Sequence, residues 1–123
     1  MGSNGFTLYG ETKMLTHLLK SGAVYGKLHT ADAGDGTMNA SVHTTRQPVT
    51  FGDPDSNGVF ELAAPVTWGV LSATEQLWGV SLWDASTAGH CVIIHEFAKP
   101  KNVFNGDNLK LSTLKVALPV VGL

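Results

Sequence analysis

The spacing of apolar residues changes at Gly22, from a helical period before it to alternation after it. That change confines the chain to one helix followed by a run of short strands. Ahead of Gly22, Leu8, Glu11/Thr12, Leu15, Leu18 and Leu19 recur at helical spacing, with Met14 and Leu18 on a flanking row. Lys13, Thr16, His17 and Lys20 take the wet face. Thr7 can cap the start and Gly22 can close the end in a left-handed position, so a helix is predicted over about residues 8–20.

Beyond Gly22, Val24, Leu28 and Thr30 share one face of a strand, and Tyr25, Lys27 and His29 share the other. Val49–Phe51 and Val59–Leu62 flank Asp53–Gly58, whose Asn57-Gly58 pair is a turn signal, and are read as a hairpin. Val66, Trp68 and Val70 alternate next, then Trp78, Val80 and Leu82 before a turn at Asp84–Gly89. Cys91–Phe97 is apolar on both faces, as a central sandwich strand would be, and Asn105-Gly106 marks a further turn. Leu109 and Leu111 fall on odd positions but Leu114, Val116 and Leu118 on even ones, which predicts a β-bulge near Ser112-Thr113. Seven or eight short strands with regular turns predict a mainly β chain: an antiparallel β-sandwich, jelly-roll-like, with one N-terminal α-helix.

A chain of 123 residues fits one domain, 1–123. Its 43% hydrophobic content can bury a core, and with only 15% charged residues little charge keeps the surface wet, which favours burial against partners. A net charge of −2 with no Lys/Arg cluster beyond Lys99 and Lys101 argues against nucleic acid. No apolar run approaches the roughly 18 residues of a membrane span. Met1–Gly5 lacks the charged and apolar regions of a signal peptide, so synthesis in the cytoplasm of the producing cell is expected. Cys91 is the single cysteine, lies beside Val92, Ile93 and Ile94, and is read as a small buried hydrophobe.

Few residues invite a chemical reading. On an extended strand His90 and Glu96 point one way and His95 the other, so the three cannot converge on one metal ion. Asp32, Asp35 and Asn39 could collect calcium, but Asp32–Gly36 lacks the ligand order of an EF-hand loop, and no metal or other cofactor is expected. There is neither a Gly-x-Ser-x-Gly elbow nor a phosphate-binding loop, and the expectation is a protein that is not an enzyme.

The expected work is assembly. The segment from about Ala31 to Gln47 is longer than most connections in a compact domain and is read as an arm reaching across a neighbour. Trp68 and Trp78 share parity with Val66, Val80 and Leu82 and are assigned to the core. Trp83 falls on the opposite face, where it is a subunit contact, is partly covered by a loop, or serves as a sugar platform. The tail Pro119–Leu123 is apolar enough to seek cover. The candidate interface is therefore Trp83, Asp32, Asp35, Met38, His43, Arg46, Val120, Val121 and Leu123.

Gly5–Thr12 through Leu18-Leu19, Tyr25–Thr30, Thr44–Phe51, and Val80–Ala85 with Gly89 form an ordered series of patches across most of the chain. In these patches the chain resembles small virion proteins of tailed phages, especially actinobacterial ones, labelled minor tail, tail-fibre or minor capsid proteins. Members commonly carry a Gly-Asp-Pro-Gly-like turn after the Leu-His-Thr strand. This chain has Ala31-Asp32-Ala33-Gly34-Asp35-Gly36, without the proline.

The resemblance implies a virion structural protein. Placed first is a capsid decoration or cement protein that forms a homo-oligomer, with a trimer favoured, and binds the major capsid protein. The alternative is a tail-tip or tail-fibre module that contacts tail proteins and recognises a host glycan.

Overall fold

A computed structural model describes residues 5–120. The protein is mainly β, with antiparallel sheets and one helix near the N-terminus. Helix α1 (Leu8–Lys20) starts where Thr7 Oγ1 accepts the Gly10 amide at 3.1 Å, satisfying a first-turn donor. It buries Glu11, Leu15 and Leu19. Its end differs from the sequence expectation: Ser21 takes the cap in a right-handed conformation, and Gly22 is not among the residues at positive φ. The Ser21 hydroxyl, donating to His17 O, supplies the carbonyl partner that a left-handed glycine would have supplied.

The strands are β1 (Val24–His29), β2 (Gln47–Val49), β3 (Phe60–Glu61), β4 (Val66–Val70), β5 (Glu75–Trp83), β6 (Cys91–Val103), β7 (Asn108–Leu111) and β8 (Lys115–Val116). A four-stranded sheet runs β2-β1-β5-β6, and two ribbons, β3-β8 and β4-β7, complete the β structure. Val24, Val49, Val80 and Leu82 from the sheet pack with Phe60, Val66 and Val116 from the ribbons, with Leu114 just before β8, and with Leu15 and Leu19 of the helix. A second cluster joins Leu28, Leu71, Leu77, Val103 and Leu109, and Trp68 and Phe97 touch both. Burying each such side chain contributes on the order of 1.5–3 kcal/mol, so this shared core holds the layers together.

Several sequence expectations are corrected. The parity change after Leu111 is a change of partner, with no bulge: β7 pairs with β4, the chain crosses over 112–114, and β8 pairs with β3. Leu109 and Leu114 are buried on either side of the crossing. Trp78 is outside the core clusters because Leu77 pairs with Lys101 while Gly79 pairs with Glu96. Residues 97–100 therefore oppose Trp78 alone, and Leu77 takes the core position. At Gly79 a side chain would collide with the His95 carbonyl, which is why this irregularity needs glycine.

The strand beginning at Cys91 is an edge strand of the sheet, not a central one. Its apolar character on both faces does not imply a second neighbour; Val92, Ile93 and Phe97 are only partly buried against the core. Phe51 and Leu62 meet in an isolated antiparallel bridge, but the two segments also serve other partners, β2 pairing with β1 and β3 with β8.

Candidate functional site

The segment from Ala31 to Gln47, read from the sequence as an arm, packs against its own sheet, with Gly36 beside Trp83 and Cys91 and with Arg46 over the Trp83 ring. Thr30 N donates to Asn39 O at 2.9 Å and Ser41 N to Leu28 O at 3.0 Å, so the segment turns back along β1. Inside the turn, Asp32 Oδ1 accepts Gly34 N, and Asp35 Oδ1 accepts both the amide and the hydroxyl of Thr37. The Thr37 hydroxyl and then its amide hold the Asp35 carboxyl below its usual value. Both carboxylates are thus engaged in local turns. Among the described residues, no three His, Cys, Asp or Glu side chains are grouped closely enough to hold a metal ion.

Under this segment lies a buried polar chain. Trp83 Nε1 donates to Ser81 Oγ at 2.8 Å, the Ser81 hydroxyl lies 2.6 Å from His29 Nε2, and His29 Nδ1 lies 2.8 Å from Met38 O. Because the Met38 carbonyl can only accept, the proton sits on Nδ1, and Nε2 is left to accept from Ser81. Burial pushes the His29 pKa down; the Met38 hydrogen bond opposes this and nearby Lys27 adds to it.

Trp83 is 7% exposed, so it is not a free platform on the folded chain. Arg46 covers it, with the guanidinium carbon 3.8 Å from the ring centroid, and Lys27 stands 5.6 Å away. Arg46 Nη1 also donates to Ala85 O at 2.9 Å and Ala88 O at 2.7 Å, tying the segment to the turn between β5 and β6. The strand parity placed Trp83 off the core face, and the chain's own loop supplies the cover there.

His43 belongs to a second latch at the opposite end of β5. Glu75 Oε1 accepts the Ser41 hydroxyl at 2.5 Å and lies 3.0 Å from His43 Nδ1, while Glu75 Oε2 accepts Val42 N at 3.2 Å. Ser72 N donates to His43 Nε2 at 3.1 Å, which fixes the imidazole from its other side. Burial alone would raise the Glu75 pKa, but donors from Ser41, Val42 and His43 outweigh it and hold the carboxyl below its usual value. Serine, histidine and glutamate here are not in relay: serine and glutamate share one ring nitrogen and a backbone amide occupies the other.

The remaining candidates lie elsewhere. Met38 is exposed while its carbonyl serves His29. Val120 forms a parallel bridge with Phe6, so the two ends of the described chain run side by side. Val121 and Leu123 lie outside the described residues. Among the described candidates, Trp83 and Arg46 sit at one end of β5, His43 at the other, and Val120 beside Phe6.

Sequence reasoning missed Glu75, Ser41 and Glu11. Glu11 is fully buried on α1, and its Oε2 accepts Leu118 N at 2.9 Å across 107 positions of sequence. The only trace of that role is a carboxylate placed on the apolar stripe of the helix. At the start of β6, His90 is exposed beside Asp84, whereas His95 stacks edge-on with Phe97 at 6.1 Å between ring centres.

A mainly β module whose loops are latched to its own sheet by arginine, histidine and carboxylate side chains is a compact structural unit. The chain belongs to the podophage GP4 fiber I protein gp80 family, whose model it matches over residues 5–118, and is thus a phage structural protein. Among curated proteins none matches it.

Proposed function

We propose that the chain is a non-enzymatic fibre subunit of a podophage virion, which assembles with copies of itself and attaches to neighbouring virion proteins. The observation that supports this reading is the family match, which covers almost the whole chain and carries the description of a fibre protein. The latched loop is consistent with it, since a virion part exposed to solvent and proteases gains from a surface without loose segments.

Capsid decoration, the first expectation from the sequence, stands second because the family description favours a fibre. Recognition of a glycan by Trp83 loses its motive, because Arg46 already occupies the ring face. The test is to image purified particles in which the protein carries a small affinity label. Label on fibres extending from the tail supports the proposal, and label distributed over the capsid lattice overturns it in favour of decoration.

A further inference from the structure

Two histidines hold the segment from Ala31 to Gln47 at two separate places, and both are bonded in the same sense. His29, fully buried on β1, donates from Nδ1 to Met38 O of the segment and accepts at Nε2 from the Ser81 hydroxyl. His43, on the segment itself, accepts at Nε2 from Ser72 N, so its ring proton sits on Nδ1, facing Glu75 Oε1 at 3.0 Å. Each imidazole is therefore fixed as the same neutral tautomer, with Nε2 occupied as an acceptor.

A second proton finds no partner at either place. Ser72 N is an amide that cannot accept, so a proton on His43 Nε2 would meet it donor against donor. The Ser81 hydroxyl could turn to accept from His29, but it already accepts Trp83 Nε1. Its own hydrogen would then be left unpaired in the interior. Lys27, two residues along β1, is the charge that bears on His29, and it repels a proton. Ser81 and Trp83 of β5 and the Met38 and Asn39 carbonyls of the segment carry no charge to offset this. Asp32 and Asp35 of the segment are engaged in their own turns, and Glu96 of β6 is exposed across Gly79 in the sheet register. The Glu75 carboxylate is bonded at His43 Nδ1 and leaves the conflict at Nε2 in place.

The segment is what closes His29 in. Met38 bonds its ring, and Asn39 and Ser41 bond the backbone on either side of it. Hydration of an imidazolium there requires these residues to lift. Neither core cluster includes a residue of 31–43, so the rest of the fold does not depend on them. Arg46, which stays charged throughout, remains on the Trp83 ring and on the Ala85 and Ala88 carbonyls.

We propose that residues 31–43 are an acid-released flap: a second proton on His29 or His43 leaves a hydrogen-bond donor without an acceptor, and the segment lifts from β1 and from Ser72 while Arg46 stays fixed. Lifting uncovers the Cys91 thiol and the part of Trp83 that Gly36 now lies beside.

The experiment is amide hydrogen exchange by NMR on the full chain from about pH 7.5 to about pH 5, corrected for the intrinsic rate at each pH. Protection at Ser41, Val42 and Ser72 should fall by up to about tenfold per pH unit below the ordinary histidine value of 6.5. Val80 and Leu82 of β5, which lies between β1 and β6, should keep theirs. In His29→Gln with His43→Gln the pH dependence at Ser41 and Ser72 should vanish. If that variant fails to fold, the wild-type Cys91 thiol decides. Its labelling by dithiodipyridine, a reagent that works in acid, should rise about tenfold over the same range relative to the unfolded chain.

Unchanged protection at Ser41 and Ser72 overturns the flap, as does exchange that rises equally at Val80 and Leu82. A folded double variant that opens with acid as wild type does, or Cys91 labelling without a rise, overturns it too.

Discussion

Arg46 stacks over Trp83 at 3.8 Å while its guanidinium donates to the carbonyls of Ala85 and Ala88, so one side chain seals a buried ring and closes a turn. The pairing joins a loop residue to strand β5 and converts an outward-facing tryptophan into part of a second, smaller interior. Arg46→Ala should cost about 2–3 kcal/mol, from a partly desolvated cation–π contact and charged hydrogen bonds. Urea denaturation measures that loss, and a red shift of tryptophan emission in the folded protein reports the uncovered ring. Arg46→Lys should recover only part of it, because an ammonium lacks the planar fork.

The Glu75 latch makes a prediction with a defined pH sign. Its carboxyl is held below its usual value, so its stabilisation is present above the unfolded glutamate pKa and is lost as pH falls through the folded one. Glu75→Gln should therefore destabilise at pH 7, by about 1–3 kcal/mol for the weakened donors. The gap from wild type should narrow as pH falls below the ordinary glutamate range of about 4.3. Urea midpoints from pH 7 to pH 3 test this; a constant gap would show that the carboxylate charge is irrelevant to the latch.

His29 and His95 both have pKa values pushed down by burial. Each is neutral in the folded protein at pH values where the unfolded chain already binds a proton. Their contribution is fully present above the ordinary value of 6.5 and is lost as pH falls from there through the folded pKa. Proton NMR titration should find both imidazoles titrating below 6.5, and stability at pH 5.5 should fall below that at pH 7.5. A His29 resonance that titrates at or above 6.5 would contradict the Ser81–His29–Met38 chain.

Glu11 holds the segment leading to the C-terminus by accepting the Leu118 amide. Glu11→Ala leaves that amide without its carboxylate and should cost about 1–3 kcal/mol, whereas Glu11→Gln keeps an acceptor and should cost less. Hydrogen exchange at Leu118 is the direct measure: fast in Glu11→Ala, protected in wild type, and intermediate in Glu11→Gln.

The amino-acid sequence by itself determined the helix over Leu8–Lys20, the turns at Asn57-Gly58 and Asn105-Gly106, and the core-facing parity of Val24, Leu28, Val80 and Leu82. These depend on capping, glycine conformation and side-chain alternation, each acting within a few residues. Only the tertiary structure decided which partner each strand takes. It sent β8 to β3 instead of continuing beside β4, set Leu77 rather than Trp78 into the core, and left β6 at an edge.

It also decided that Trp83, placed off the main core by its parity, would be buried all the same. The cover is Arg46, a side chain 37 positions earlier in sequence, and alternation along a strand reports which way a residue points but not what has folded back to meet it.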